Sequence, residues 1–263
     1  MTVRRTVART VAIEGRGLHS GQPVCARITP GADGIAFTFR GRRVTAHPDN
    51  VTGTDRRTRL GEVSTIEHLM AAFAGCGVTD AEVSLSAPEL PGRDGSARDF
   101  VYALDEVGYQ VIHGLEARTL TAPLSLHTGP STISVRPGTG IWTCTFDLGS
   151  RWPGCQTVTV DLAGAFRTEV APARTVVLGE EVDAAWSRGL GRGLGPGDVL
   201  VIGLAGYLGK PRFPDEPARH KLLDLIGDLW LAGVPITGMD VTARRSGHTA
   251  NVEVARRITD TFR

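Results

Sequence analysis

The chain has 263 residues, 41% hydrophobic and 22% charged, a globular composition long enough for two domains of roughly 100–150 residues. Its 29 basic and 28 acidic residues leave a formal charge of +1, which offers nucleic acid no broad electrostatic footprint. Cys25, Cys76, Cys144 and Cys155 form no close metal-binding pair, and neither a signal peptide nor a run of roughly 18 apolar residues is present, so a reduced, cytoplasmic chain is expected.

In chain order, strands are predicted over 5–13, 23–28 and 34–39, separated by Gly15, Gly17, Gly21 and Pro30-Gly31. Ser64-Thr65 then precede the run Ile66-Glu67-His68-Leu69-Met70-Ala71-Ala72-Phe73-Ala74, which reads as a helix with a hydroxyl cap. A strand over 78–85 and a helix over 98–107 follow. The order then restarts: strands over 119–126, 131–135, 140–148 and 158–162, an amphipathic helix over 218–232, a strand over 234–243 and a closing helix over 249–258.

His68-Leu69 through Gly77-Val78 aligns without gaps on Asp224-Leu225 through Gly233-Val234, at an offset of 156. The repeated order of strands, helix, strand and helix predicts an α+β fold of two similar domains from an internal duplication, residues 1–115 and 116–263, with helices sandwiched between two sheets.

His220, Asp224 and Asp228 fall at i, i+4 and i+8 on one face of the second repeat's main helix. Spacing of this kind is ordinarily a solvated pair. Here Leu222, Leu225, Ile226 and Leu229 fill much of the rest of the helix, so the stripe cuts into a largely apolar element, and an imidazole and a carboxylate one turn apart can grip zinc. His68 is the candidate third ligand, because it occupies the position in the first repeat that Asp224 occupies in the second. Two histidines and one aspartate leave a coordination position open, as in catalytic zinc sites, where the metal lowers the pKa of its water to about 7. Glu67 could take that water's proton. His248, read as part of a loop, could be held as imidazolium by Asp228 and stabilise an oxyanion or protonate a leaving amine. Thr175 could donate a further hydrogen bond.

These residues, with Gly17-Leu18-His19-Ser20-Gly21, Ala87-Pro88-Glu89-Leu90-Pro91, Asp94-Gly95-Ser96-Ala97, Ala173-Arg174-Thr175 and Ser246-Gly247-His248, resemble the UDP-3-O-acyl-N-acetylglucosamine deacetylases of bacterial lipid A synthesis. The resemblance runs in order along nearly the whole chain. It implies one zinc per chain held by His68, His220 and Asp224, with Glu67 as general base. It also implies His248 as the cationic histidine oriented by Asp228, and Thr175 at the oxyanion. Lys221 would meet substrate phosphate; Arg245 replaces a lysine of the family, and Leu18 and His19 are expected to touch substrate. The partner implied is a UDP-linked acylated amino sugar, met by a monomer whose only membrane contact is peripheral, through the acyl chain.

The chain departs from the family around the substrate. The segment 176–197 keeps the length of an acyl-binding insertion but is rich in Gly and short side chains, with Gly179, Glu180, Ala184 and Ala185 where bulky apolar walls are wanted. Asp55-Arg56-Arg57-Thr58-Arg59 replaces a more apolar stretch, and Leu148 aligns with an aromatic that stacks on uracil. A weaker preference for long acyl chains is therefore expected. The alternatives are a deacetylase of non-acylated UDP-N-acetylglucosamine and, in another class, a non-catalytic sugar-nucleotide sensor, against which the filled catalytic positions argue. Iron(II) is the alternative metal for such an N/O site.

Overall fold

A computed structural model describes residues 3–262, the side chain of Leu115 excepted. The first half contains β1 (Val11–Arg16), β2 (Pro23–Thr29), β3 (Ile35–Phe39), β4 (Arg42–Thr45), α1 (Glu67–Cys76), β5 (Ala81–Leu85) and α2 (Arg98–Val107). The second contains β6 (Leu124–Thr128), β7 (Ser131–Pro137), β8 (Ile141–Asp147), β9 (Cys155–Asp161), α3 (Glu216–Leu229), β10 (Met239–Arg244) and α4 (His248–Asp260).

The sheets run β1-β2-β5-β3-β4 and β6-β7-β10-β8-β9. In each, the strand that follows the central helix is inserted mid-sheet, parallel to one neighbour and antiparallel to the other. The same order and the same single parallel pairing recur in both halves, as a duplication requires. Gly77 and Gly233, 156 residues apart, end the two central helical segments with φ of 68° and ψ of 25° and 24°, the left-handed cap that glycine adopts without a Cβ penalty. Strands Val3–Val7 and Tyr109–Glu116 pair antiparallel outside both sheets.

Alternation along the strands puts one face of each sheet in the core. Val24, Ala26 and Ile28 of β2 are buried, as are Trp142 and Cys144 of β8 and Met239, Val241 and Ala243 of β10. Trp142 Nε1 donates to the carbonyls of Ile236 (3.1 Å) and Met239 (3.0 Å), satisfying its one polar atom.

Between the sheets, α1 and α3 pack against each other. Nine of the ten residues of α1 and twelve of the fourteen of α3 are buried. The expected amphipathic helix over 218–232 is therefore buried nearly all round, and its polar stripe faces the other half of the protein rather than water. A Cβ at Gly227 would lie 2.0 Å from the Glu67 carbonyl oxygen, so these helices meet backbone to backbone where glycine alone fits.

Element boundaries differ from expectation where a cap or turn intervenes. The strand expected over 5–13 breaks into Val3–Val7 and β1; that over 234–243 begins only at Met239, after a 3-10 turn over Ile236–Gly238. The hydroxyl cap expected for α1 is not formed. The N-cap is Ile66 with no side-chain bond, and Thr65, at φ +60°, gives its hydroxyl to Glu89 Oε1 at 2.9 Å instead. His248 is the first residue of α4 rather than a loop residue.

Two small three-stranded sheets were not expected. One joins Val51–Gly53, Arg59–Leu60 and Val63–Ser64; the other joins Val176–Leu178, Leu200–Ile202 and Tyr207–Leu208. Each is made of strands too short to show a period-2 pattern. Among the described residues no helix is long and apolar enough to cross a membrane.

Candidate active site and metal centre

The contact of α1 with α3 brings His68, His220 and Asp224 together, with one ligand atom of each within 4.8 Å of the others. His68 Nε2 and His220 Nε2 lie 3.8 Å and 3.3 Å from Asp224 Oδ1. All three side chains are buried. His220 Nδ1 faces the Ala173 carbonyl at 3.1 Å; donating there leaves Nε2 as the lone-pair nitrogen, the tautomer a metal ligand needs. Burial, and for His68 the neighbouring His220, push both imidazoles down, His68 to about 3. Neutral rings are the ligating form.

Burial would raise the Asp224 carboxyl, but His220 and Lys221 outweigh it and hold the group well below the usual range. Its Oδ2 takes the Lys221 ammonium at 2.8 Å, while Oδ1 is buried and has no hydrogen-bond partner. A buried carboxylate oxygen without a donor, facing two deprotonated imidazole nitrogens, fits a cation. Two nitrogens and one oxygen suit zinc in a site open to a further ligand.

Glu67 and His248 flank this group. Burial pushes the Glu67 carboxyl up to about 7, against the opposing charge of His248. Burial would depress His248, but Asp228, by charge and by a 2.8 Å hydrogen bond to Nδ1, carries it up to about 9. One group thus loses its proton near neutrality and the other keeps it. Asp228 itself accepts from Asn251 Nδ2 (2.9 Å) on Oδ2 and from Thr58 Oγ1 (2.5 Å) on Oδ1. Thr58 also gives its backbone N–H to Glu67 Oε2 at 3.0 Å. Thr58 and Asn251 were not singled out in the sequence. Asn251 lies one helical turn after His248, and i+3 spacing could have flagged it.

These groups form the floor of a cavity of ≈ 520 Å³ that reaches Glu67, His68, His220, Lys221, Asp224, His248, Thr175, Leu18 and His19. Its walls are Val176, Val177, Val182, Ala185, Trp186, Leu190, Leu194 and Val199. The expectation of a passage without bulky apolar walls is therefore corrected. Of the four short or polar residues, only Ala185 lines the cavity; Gly179, Glu180 and Ala184 do not, and most of the wall comes from bulkier side chains around them. Glu89 secures the rim by accepting the N–H groups of His19 and Ser20, each at 2.8 Å. Gly191 N–H reaches His19 Nδ1 at 3.3 Å, which ties the first-half motif to the second insertion. Thr175 is fixed through its backbone, N–H to Gly95 O at 2.7 Å and C=O to Leu200 N at 2.9 Å.

Arg245 does not reach this cavity. It lines a second, more polar one of ≈ 420 Å³ with Phe146, Asp147, Leu148 and Lys221, and its Nε bonds Asp147 Oδ2 at 3.1 Å. Lys221 borders both cavities and joins them.

Residues 4–260 match the family model of LpxC, the UDP-3-O-acyl N-acetylglycosamine deacetylases. The chain belongs to this family. It is 34% identical to the UDP-3-O-acyl-N-acetylglucosamine deacetylase of Anaeromyxobacter dehalogenans (strain 2CP-C), over 97% of this chain and 87% of the relative. It is similarly 34% identical to that of Chlamydia muridarum (97% and 94%) and 32% identical to that of Neisseria gonorrhoeae (97% and 90%). LpxC enzymes are zinc-dependent amidohydrolases of lipid A biosynthesis, and the buried His68, His220 and Asp224 group agrees with that chemistry.

Proposed function

We propose that this LpxC deacetylase hydrolyses the acetamide of UDP-3-O-acyl-N-acetylglucosamine, binding one zinc ion per chain through His68, His220 and Asp224. The observation that carries this reading is the convergence of those three side chains with Glu67 and His248 on the floor of one apolar-walled cavity. Zinc held there would acidify water and polarise the acetamide carbonyl. Glu67, deprotonated above about pH 7, accepts the attacking water's proton. Thr175 donates to the oxygen on which charge develops. His248, kept cationic by Asp228, stabilises the same charge and delivers a proton to the departing amine.

The apolar walls from Val177 to Val199 take the 3-O-acyl chain, beside Leu18 and His19. Lys221 and Arg245 receive the diphosphate where the two cavities meet. The aromatic face that Leu148 does not provide for uracil is present two residues earlier, at Phe146. Trp186, 59% exposed, stands at the cavity wall, with Leu204 and Leu208 also exposed in the neighbouring hairpin. Through these residues and the acyl chain a cytoplasmic enzyme would touch a membrane peripherally. Division into domains 1–115 and 116–263 and a monomeric state belong to the same proposal.

The experiment is acetate release by zinc-loaded enzyme from UDP-N-acetylglucosamine with and without a 3-O-acyl chain. Turnover of the acylated substrate alone supports the reading. Equal turnover of both would assign the chain to the non-acylated sugar, and turnover of neither would leave a sensor.

A further inference from the structure

Thr58 immediately precedes a two-residue strand, Arg59–Leu60, held between Val51–Gly53 and Val63–Ser64. It is fully buried. Its backbone closes a pair of bonds with the start of α1: its N–H goes to Glu67 Oε2 at 3.0 Å, and its C=O accepts from Ile66 N at 3.3 Å. Its hydroxyl points the other way, 2.5 Å from Asp228 Oδ1 and 3.3 Å from His248 Nδ1. One residue thus touches the proton acceptor through its main chain and the proton donor's partner through its side chain.

The hydroxyl has one proton, and the unshared Asp228 Oδ1 is its acceptor. With Oδ2 shared by His248 Nδ1 at 2.8 Å and Asn251 Nδ2 at 2.9 Å, both carboxylate oxygens are engaged and the plane of the carboxylate cannot turn. That plane sets the direction of the His248 ring, which bonds through Nδ1 and leaves Nε2 toward the cavity. Bonds from a neutral donor to a buried carboxylate are stronger than neutral pairs and more directional. Among the described residues no hydrogen bond joins Glu67 to His248 directly, so Thr58 adds a hydrogen-bonded link between base and acid to the packing of α1 on α3.

We propose that Thr58 is a positioning residue, whose hydroxyl locks the Asp228–His248 pair in register with Glu67. This rests on the catalytic roles proposed above. The substitutions are Thr58→Val, which keeps the volume and removes the hydroxyl, Thr58→Ser, which keeps the hydroxyl, and Thr58→Ala in case the valine variant does not fold. Turnover of the acylated substrate is measured per bound zinc, so that misfolded protein is not counted.

The hydroxyl-free variants should lose about ten- to hundredfold in kcat, the worth of one hydrogen bond to a charged group, with KM and zinc stoichiometry unchanged. Thr58→Ser should restore most of kcat. In an Asp228→Ala background, Thr58→Val should cost less than about twofold further, because residues that act through one another are not additive. Wild-type kcat in both hydroxyl-free variants would overturn the proposal. So would a serine variant as impaired as the valine one, or a full additional loss in the Asp228→Ala background. Failure of the underlying reading shows separately, as a Glu67→Gln enzyme as active as the unsubstituted chain.

Discussion

Gly227→Ala tests the helix contact on which the metal group depends. In an ordinary helix interior this change stabilises, since alanine is favoured over glycine by about 1 kcal/mol. Here the added Cβ would lie 2.0 Å from Glu67 O, 2.8 Å from its carbon and 3.1 Å from Ala71 N. A carbon–oxygen contact relaxes at about 3.3 Å, so α1 and α3 must part by roughly 1.3 Å at that point. All three neighbours are backbone atoms of a buried helix and cannot swing aside. Overpacking of this kind costs about 1–3 kcal/mol, which more than cancels the propensity gain. The larger effect falls on function. Glu67 and His68 belong to α1, while His220 and Asp224 belong to α3, and zinc sites tolerate ligand displacements of only about 0.2 Å. The variant is expected to stay folded by circular dichroism, to lose several degrees in Tm, to release zinc to a chelator far faster, and to fall about hundredfold in kcat. A Gly227→Ala enzyme that keeps zinc and full kcat would refute the claim that this approach holds the ligands in place.

The pH dependence has a definite sign. Glu67, raised to about 7, must lose a proton and His248, raised to about 9, must keep one; a bound cation lowers both. The kcat/KM profile should therefore be a bell with its acid limb below about 7 and its basic limb at or below about 9. Glu67→Gln should cost roughly 10²–10⁴-fold with zinc retained, and His248→Ala should remove the basic limb. Because the folded pKa of His248 lies above its unfolded 6.5, its contribution to stability is complete below about 6.5 and lost as pH rises through 9; urea midpoints of wild type and His248→Ala should converge above that pH. Arg245→Ala should raise KM with little change in kcat, whereas Lys221→Ala should raise KM and also weaken zinc retention, because Lys221 Nζ touches Asp224 as well; no effect from either would remove the diphosphate from this region. Across substrates of increasing acyl length, kcat/KM should climb by at most about fourfold per methylene, the limit of about 0.8 kcal/mol each, and Trp186→Ala should flatten the climb; an unaltered slope would place the chain elsewhere.

Much of the fold could be read from local pattern, because the buried faces of β2, β7, β8 and β10 alternate and the two central helical segments share an aligned run ending in Gly-Val. The helix over Arg98–Val107 matched to the residue, since its amphipathic pattern and the Gly108 that ends it are both local. The start of α1 was not legible: Ser64-Thr65 is a good cap by composition, but a distant carboxylate, Glu89, takes the hydroxyl. The short strands around 51–64 and 176–208 are fixed by tertiary contacts and carry no periodicity of their own. Among candidate site residues, His220, Asp224 and Asp228 were found because i, i+4 spacing puts them on one face, and His68 because the repeat sets it opposite Asp224. Thr58 was not, because its importance comes from Glu67, Asp228 and His248, 9, 170 and 190 residues away along the chain.

The acyl passage shows a different failure. The abundance of Gly and short side chains over 176–197 predicted thin walls, yet Val176, Val177, Val182, Trp186, Leu190 and Leu194 of that same segment line the cavity. Composition measures a segment, whereas a wall is made by the side chains facing one way.

The duplication also explains why a symmetric backbone carries an asymmetric site. At the offset of 156, His68 corresponds to Asp224, Ala71 to Gly227, Ala72 to Asp228 and Ser64 to His220. Equivalent positions thus meet where the helices touch, and each half brings one metal-ligand candidate from the same place. The remaining roles are divided. The first half places Glu67 at the N-terminal end of α1, and Ala72 leaves it no counterpart to Asp228. The second half carries the Asp228–His248 pair and has Leu223 where the first has Glu67. Had both halves kept a glutamate there, two buried carboxylates would compete for one proton and neither would be ionised fully near neutrality. Had both kept an aspartate–histidine pair, two cations would face the metal. Splitting the proposed base and acid between the repeats avoids both penalties, and it makes the contact between α1 and α3, closed by Gly227, the place where the candidate site comes together.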